Sequence, residues 1–97
     1  MEMYVDILRS YAENTPSEIE KLRGLAEETL ADYAIDIHTM KGVNSTIGAK
    51  EMTQRAKKME KMAKDGDFAG VFELNEEFIK DSVTLVKGVE EWLDRHG

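Results

Sequence analysis

Apolar residues recur at spacings of three and four along almost the whole chain, and no other feature constrains the fold as strongly. Such spacing places apolar side chains on one face of an α-helix, whereas a half-buried strand requires alternation of apolar and polar residues. The sequence contains no run of alternating β-branched residues long enough for a strand. We therefore predict an all-α fold.

Capping and turn residues divide this pattern into separate helices. Residues 15–18, Thr-Pro-Ser-Glu, combine an N-cap, a first-turn proline and a capping-box glutamate, so a short first helix is expected to end before them. Asp32 is placed to cap a third helix and Gly48 to end it, while Gly66 and Asp67 separate the last two helices. The predicted helices cover residues 3–13, 16–30, 33–47, 50–65 and 68–95.

The predicted architecture follows from the short connections between the last three helices, which favour antiparallel neighbours. A length of 97 residues with one proline and no long polar tract fits one domain over residues 1–97. We expect an up-and-down antiparallel four-helix bundle with an additional short N-terminal helix. The apolar stripes predict the core, with one polar member in the third helix. The predicted core residues are Ile19, Leu22, Leu25, Ala26, Tyr33, Ile37, Met40, Asn44, Ile47, Met52, Ala56, Met59, Ala63, Phe68, Val71, Phe72, Phe78, Ile79, Leu85, Val86, Val89, Trp92 and Leu93.

Charge and composition exclude several classes of protein. A formal net charge of -7 argues against binding to nucleic acid or anionic lipid, because such binding depends on neutralising phosphates with lysine and arginine. The absence of cysteine excludes disulfides, thiolate zinc sites and a cysteine nucleophile. No stretch approaches the ~20 apolar residues of a membrane span, and no leader-like segment opens the chain. We expect a cytoplasmic protein without a membrane partner.

His38 lies in the third predicted helix, outside the arc that is expected to face the core. On a helical wheel it shares an outward stripe with Ala34, Lys41, Gly42 and Ser45. A neutral imidazole is a nucleophile near neutral pH, and Lys41 can offset the negative charge of a phosphoryl group. Gly42 weakens the helix by about 0.5 to 1 kcal/mol relative to alanine. It either leaves room for an incoming group or lets a neighbouring helix approach closely.

The histidines do not form a predicted metal site. The positions three and four residues from His38 hold Ala34, Ile35, Lys41 and Gly42, so no second histidine or carboxylate lies on its stripe. His96 lies in the last turn of the last helix, where a histidine is favoured by the helix dipole. We assign it no role in function.

Residues 38–42, His-Thr-Met-Lys-Gly, with Ile-Gly-Ala at 47–49, resemble the signature of the histidine phosphotransfer family. Residues 59–60, Met-Glu, and 65–67, Asp-Gly-Asp, resemble further elements of that family, so the resemblance extends over most of the chain. Val43 and Asn44 depart from it, because small Ser and Ala are frequent after the glycine.

The resemblance implies specific roles for the site residues. His38 would be the phosphorylated residue, Lys41 would stabilise the phosphoryl group, and Gly42 would keep the approach open. Glu60 occupies a position near the histidine where some members carry glutamine, which gives a candidate hydrogen bond to the imidazole. Ser45 and Lys64 are further candidates for supporting the site.

Four residues are candidates for docking a partner. Ile35 is placed beside His38 and away from the core arc, where it either contacts a partner or packs under the first or second helix. Ala34 shares that surface. Lys57 and Lys61 of the fourth predicted helix would either steer an acidic receiver pocket or only solubilise that face.

The function implied by the resemblance is that of a phosphocarrier in a phosphorelay. His38 would accept a phosphoryl group from the aspartyl phosphate of a receiver domain and pass it to another receiver aspartate. The implied partners are response-regulator receiver domains and a hybrid sensor histidine kinase. The domain would need no cofactor of its own, because the receiver supplies Mg²⁺.

Two related functions fit the sequence less well. No glycine-rich nucleotide loop accompanies the motif, so we expect neither an ATP site nor kinase activity. The type fused to chemotaxis kinases usually carries a second histidine-rich motif, whereas residues 54–58 are Gln-Arg-Ala-Lys-Lys here. The alternative from another class is a helical interaction module that keeps the fold without relay activity.

Overall fold

A computed structural model describes residues 2–96 of the chain. It contains four α-helices: α1 spans Glu2–Leu22, α2 Leu30–Thr46, α3 Lys50–Lys64 and α4 Phe68–His96. A short 3-10 helix, Glu27–Thr29, precedes α2. No strand occurs between residues 2 and 96, and the all-α prediction is confirmed.

The N-terminal region departs from the prediction, because α1 is one continuous helix that contains Pro16. The separate helix over residues 3–13 and the new helix start near the proline were wrong. A proline inside a helix lacks the backbone N–H for one hydrogen bond and costs about 3 kcal/mol. The helix nevertheless continues, because one buried stripe runs through the proline at helical spacing. The stripe consists of Leu8, Tyr11, Thr15, Ile19 and Leu22.

Two further boundaries differ from the predicted ones. α1 ends at Leu22, and the chain then forms tight turns in which Arg23 N–H donates to the Glu20 carbonyl. The helix predicted over residues 16–30 therefore ends eight residues earlier than expected. Leu25 and Ala26 therefore lie in the connection and are only partly buried. The 3-10 helix leads directly into α2, which places Asp32 in its first turn rather than at its cap.

The ends of α2 and α3 agree with the predicted glycine signals. Gly48 and Gly66 adopt φ values of 78° and 81°, the left-handed conformation in which glycine avoids a steric penalty. Beyond the second glycine, Asp67 caps α4 by accepting a hydrogen bond from Gly70 N–H at 3.0 Å. The two short connections bring α2, α3 and α4 together as successive neighbours.

The helices form an elongated bundle of 42 × 18 × 17 Å in which α2 packs on α1 and α3, and α4 packs on α1 and α3. The predicted inward residues of α3 are buried, as are those of α2 apart from Ile47, which is half-buried. Of the predicted core residues of α4, Phe72 is exposed over 64% of its surface, and five are only partly buried: Phe68, Leu85, Val89, Trp92 and Leu93. Phe72 lies at the edge of the buried arc of α4. Among the described residues its only aromatic neighbour is Phe68, and the two ring centroids are 5.7 Å apart.

A buried hydrogen-bond chain joins three helices near the start of α2. Tyr33 Oη donates to Asn75 Oδ1 at 2.7 Å, and Asn75 Nδ2 donates to the carbonyl of Leu22 at 2.9 Å. Burial raises the pKa of the Tyr33 phenol, so it remains a protonated donor. The chain connects α2, α4 and the end of α1.

None of the helices described between residues 2 and 96 combines the length and apolar character needed to cross a membrane. This holds for α4, the longest of them, whose outer face is charged.

Candidate functional site

α2 presents His38 at the surface because its neighbours on the helix anchor the opposite face. Ile37 and Met40 have no exposed surface, and Asn44 is buried one turn further along. Asn44 Nδ2 donates to the Met40 carbonyl at 2.9 Å, while its Oδ1 has no partner among the described residues. The His38 side chain, on the outward side of the helix, is 62% exposed.

Glu60 of α3 lies against His38 and is the centre of the polar site. Its side chain is only 6% exposed, and its carboxylate accepts hydrogen bonds from three nitrogen atoms. His38 Nδ1 lies 2.7 Å from Glu60 Oε2, Lys41 Nζ lies 2.7 Å from Oε1, and Lys64 Nζ lies 3.1 Å from Oε2. The structure thus brings together a histidine, two lysines and one carboxylate from two helices.

The donors keep Glu60 ionised in spite of its burial. The Lys41 hydrogen bond is the largest influence, and with those of Lys64 and His38 it lowers the pKa of the Glu60 carboxyl from 4.5 to about 2. Burial acts in the opposite direction, because it disfavours the charged form. At neutral pH Glu60 is therefore a carboxylate, which can only accept hydrogen bonds.

The ionised carboxylate fixes the tautomer of His38. Since Glu60 cannot donate, the ring must carry its proton on Nδ1 and donate it to Oε2. In the neutral ring the lone pair then lies on Nε2. With the side chain largely in solvent, the arrangement offers a nucleophilic nitrogen to an incoming group.

Gly42 lies one turn beyond His38 on an open surface. A Cβ atom built at this position would meet no atom of another described helix within 4 Å. The alternative that Gly42 permits close approach of a neighbouring helix is therefore wrong. The space around it is solvent.

A shallow groove of about 560 Å³ opens beside His38 between α2 and α3. Ile35 lines it with 66% of its surface exposed, so the alternative that Ile35 packs under the first helices is wrong. Ala34 also lines the groove but is only 8% exposed and belongs to the core, so its predicted place on the outward surface was wrong. The groove is lined by Leu30, Ala31, Ala34, Ile35, His38, Glu60, Ala63 and Lys64.

Other candidate residues lie outside this cluster. Ser45 is exposed on α2, and no hydrogen bond in the described structure joins its hydroxyl to the site. Lys57 is exposed on α3 one turn before Glu60, and Lys61 pairs with Asp65 at 3.1 Å. His96 lies at the end of α4, where its ring stacks on Trp92 at 4.5 Å and its Nδ1 bonds the Trp92 carbonyl.

The sequence reasoning missed that both lysines bind the same carboxylate as the histidine. It treated Lys41 as a direct companion of His38 and gave Lys64 no contact. One signal was present, since Glu60 and Lys64 are four residues apart, the spacing at which a glutamate and a following lysine pair on a helix. Lys41 and Glu60 are 19 residues apart, and no local spacing indicates their contact.

A helical bundle that holds an exposed histidine against a buried carboxylate, with two ammonium groups beside it, has the construction of a module that carries phosphoryl groups. The family model described as the Hpt domain matches residues 6–95, and the chain belongs to this histidine phosphotransfer family. Comparison with curated proteins and with solved structures gives no significant match.

Membership of the family defines the function at a general level. The chain is a phosphotransfer-capable module of two-component systems. Hpt domains are phosphocarriers rather than kinases, and they interact with the receiver domains of these systems.

Proposed function

We propose that this chain is a phosphorelay intermediate that accepts a phosphoryl group on His38 from a receiver aspartyl phosphate and transfers it to another receiver aspartate. The observation that carries the proposal is the 2.7 Å bond between His38 Nδ1 and the ionised Glu60. It leaves the Nε2 lone pair of an exposed ring free to react.

The transfer step uses the Nε2 lone pair of His38 to attack the phosphorus atom of the aspartyl phosphate. The N–P bond forms as the bond between phosphorus and the aspartate oxygen breaks, and its electron pair leaves with the aspartate carboxylate. The Nδ1 proton stays in place, so the ring becomes a cation next to Glu60. In the onward step a carboxylate oxygen of another receiver aspartate attacks the phosphorus atom. The O–P bond forms as the N–P bond breaks, and the electron pair of the N–P bond returns to Nε2, so the ring leaves as a neutral imidazole, a far better leaving group than an imidazolate.

Glu60 acts as a positioning residue in this scheme. It fixes the ring orientation and tautomer before transfer, and its negative charge stabilises the cationic ring after transfer. Its depressed pKa means that it performs both roles throughout the physiological pH range.

Lys41 and Gly42 complete the surface around Nε2. Lys41 is held at 2.7 Å from Glu60 with 30% of its side chain exposed, and its charge offsets the negative charge that the phosphoryl group brings. Gly42 adds no side chain on the open surface one turn from the histidine, and a receiver can therefore approach closely.

The groove beside His38 provides the docking surface for the receiver in this proposal. Ile35 supplies an exposed apolar contact in this groove, the floor of which includes Ala34. Lys57 and Lys61 attract the acidic pocket of a receiver. That pocket brings the Mg²⁺, so the chain itself needs no cofactor. A hybrid sensor histidine kinase is one source of such a receiver.

The test is incubation of the purified chain with a receiver domain that carries a radiolabelled aspartyl phosphate. We expect label on the chain that is labile in acid and stable in base, and phosphorus–nitrogen NMR coupling that places it on Nε2. His38→Gln is the matched control, because glutamine tolerates an exposed helical position but lacks the nucleophile. Equal labelling of this variant, or receiver binding without transfer to the parent, would refute the proposal.

A further inference from the structure

We infer that Lys64 is a movable cation of this site, which binds Glu60 while His38 is free and turns to the phosphoryl group when His38 carries one. The inference rests on the proposed function of His38. It assigns to Lys64 a different role from that of Lys41, and the structure distinguishes the two lysines in three respects.

The first respect is the atom that each lysine binds. Lys64 Nζ and His38 Nδ1 both contact Glu60 Oε2, at 3.1 and 2.7 Å, whereas Lys41 Nζ contacts Oε1 at 2.7 Å. Lys64 is therefore on the same side of the carboxylate as the imidazole. Lys41 is bound to the other oxygen.

The second respect is position relative to the groove. Lys64 lines the groove together with His38 and Ile35, whereas Lys41 lies outside it, one turn further along α2. The two ammonium groups thus approach the histidine from different sides. Because Lys64 Nζ and the imidazole contact the same carboxylate oxygen, the flexible four-carbon side chain of Lys64 can turn toward a phosphoryl group on that ring.

The third respect is how firmly each ammonium is held. The Lys64 side chain is 64% exposed and belongs to the last residue of α3, whereas that of Lys41 is 30% exposed. The exposed ammonium of Lys64 is hydrated whether or not it is paired, and Glu60 keeps its bonds to Lys41 and His38 when Lys64 leaves. Lys64 can leave Glu60 at small cost.

Phosphorylation supplies a stronger partner for Lys64. The phosphoryl group carries nearly two negative charges and three acceptor oxygens. Meanwhile Glu60 keeps Lys41 on Oε1, and on Oε2 it keeps a histidine ring that has become cationic. The exchange therefore leaves each anionic group with a cation.

The experiment measures the phosphorylated chain itself. A labelled receiver domain phosphorylates four proteins: the parent, Lys64→Gln, Lys64→Arg and the control Lys58→Gln. Phosphorus NMR at a series of pH values then gives the pKa of the phosphoryl group in each. Lys58 is an exposed lysine of the same helix on nearly the opposite side from Glu60. Thermal melts check that all four proteins are folded.

We expect Lys64→Gln to raise the pKa of the phosphoryl group, since a nearby ammonium favours its dianion. The equilibrium between phosphohistidine and receiver aspartyl phosphate should shift toward the receiver by about twofold to fivefold. Lys64→Arg should restore both values, and Lys58→Gln should match the parent. A merely structural role of Lys64 would not move the phosphoryl pKa.

The outcomes separate this inference from the proposed function. If the parent is phosphorylated and Lys64→Gln has the same phosphoryl pKa and equilibrium, the inference is wrong and the proposed function stands. If Lys58→Gln changes both values as much as Lys64→Gln, the effect is one of general charge and the inference is again wrong. If the parent forms no phosphohistidine, both fail together.

Discussion

Replacing Glu60 with glutamine removes one negative charge from the centre of the site and leaves the size of the side chain unchanged. The three donors then face an amide, which has one acceptor oxygen in place of two. The pKa of about 2, against the ordinary 4.5, corresponds to at most about 3 kcal/mol of interaction with the ionised form. Water at the exposed His38 and Lys64 side chains reduces this to about 1 to 2 kcal/mol.

The same substitution should change how the unfolding free energy depends on pH. Because the folded pKa of Glu60 lies below its ordinary value, the carboxylate contributes its full stability above about pH 5, and this contribution is lost as the pH falls toward 2. The parent should therefore lose about 1 to 2 kcal/mol of unfolding free energy to this group between neutral pH and about pH 2. Glu60→Gln should be less stable at neutral pH by that amount and should lack this part of the acid loss.

Urea denaturation of the two proteins at neutral pH and in steps down to about pH 2 measures the difference, since other titrating groups are common to both. The two stability curves should converge as the medium becomes acidic. Curves that remain parallel over the whole range would refute the reasoning, because they would show that the charge of Glu60 is not coupled to folding. Equal stability at neutral pH would show that the ion pairs contribute nothing.

Substitutions at three other positions test separate parts of the structure. Gly42→Ala should raise the unfolding free energy by about 0.5 to 1 kcal/mol in thermal melts, while Gly42→Gln should be at least as stable as the parent but a markedly slower phosphoryl acceptor. If the glutamine variant is less stable than the parent, or accepts the phosphoryl group at the parent rate, then Gly42 does not serve to let a receiver approach His38. Lys41→Ala should leave His38 competent but slow its phosphorylation by up to about tenfold, and unchanged rates at low and moderate salt would count against its role. Pro16→Ala should stabilise the chain by about 1 to 3 kcal/mol, because residue 16 regains a backbone donor; an unchanged melting temperature would mean that the proline does not weaken α1.

The local signals in the sequence predicted most of the fold. Left-handed glycines at 48 and 66 and the cap at Asp67 lie where the sequence indicated, because turn geometry depends on the residues of the turn itself. Pro16 misled the prediction for the opposite reason. The residues around Pro16 resemble the start of a helix. The helix is nevertheless continuous, because the apolar stripe of α1 is buried against other helices on both sides of the proline.

The site shows the same division between local and long-range information. A helical wheel places His38, Lys41 and Gly42 on one surface, because all three belong to one helix. The contact between His38 and Glu60 joins residues 22 positions apart, and it depends on how α2 and α3 are rotated against each other. The structure also excludes the packing explanations for Gly42 and Ile35, which depended on what another helix places nearby.

The buried Asn75 has a consequence for how uniquely the bundle is assembled. Aliphatic surfaces of packed helices tolerate small rotations and slips, because one methyl group can replace another at little loss of contact. A side chain that must satisfy both the Tyr33 hydroxyl and the Leu22 carbonyl permits only one alignment of three helices. Tyr33 lies on the same helix as His38, so its bond to Asn75 favours the rotation of α2 in which His38 faces Glu60. The geometry of the histidine site thus depends in part on Asn75, a residue that does not contact it.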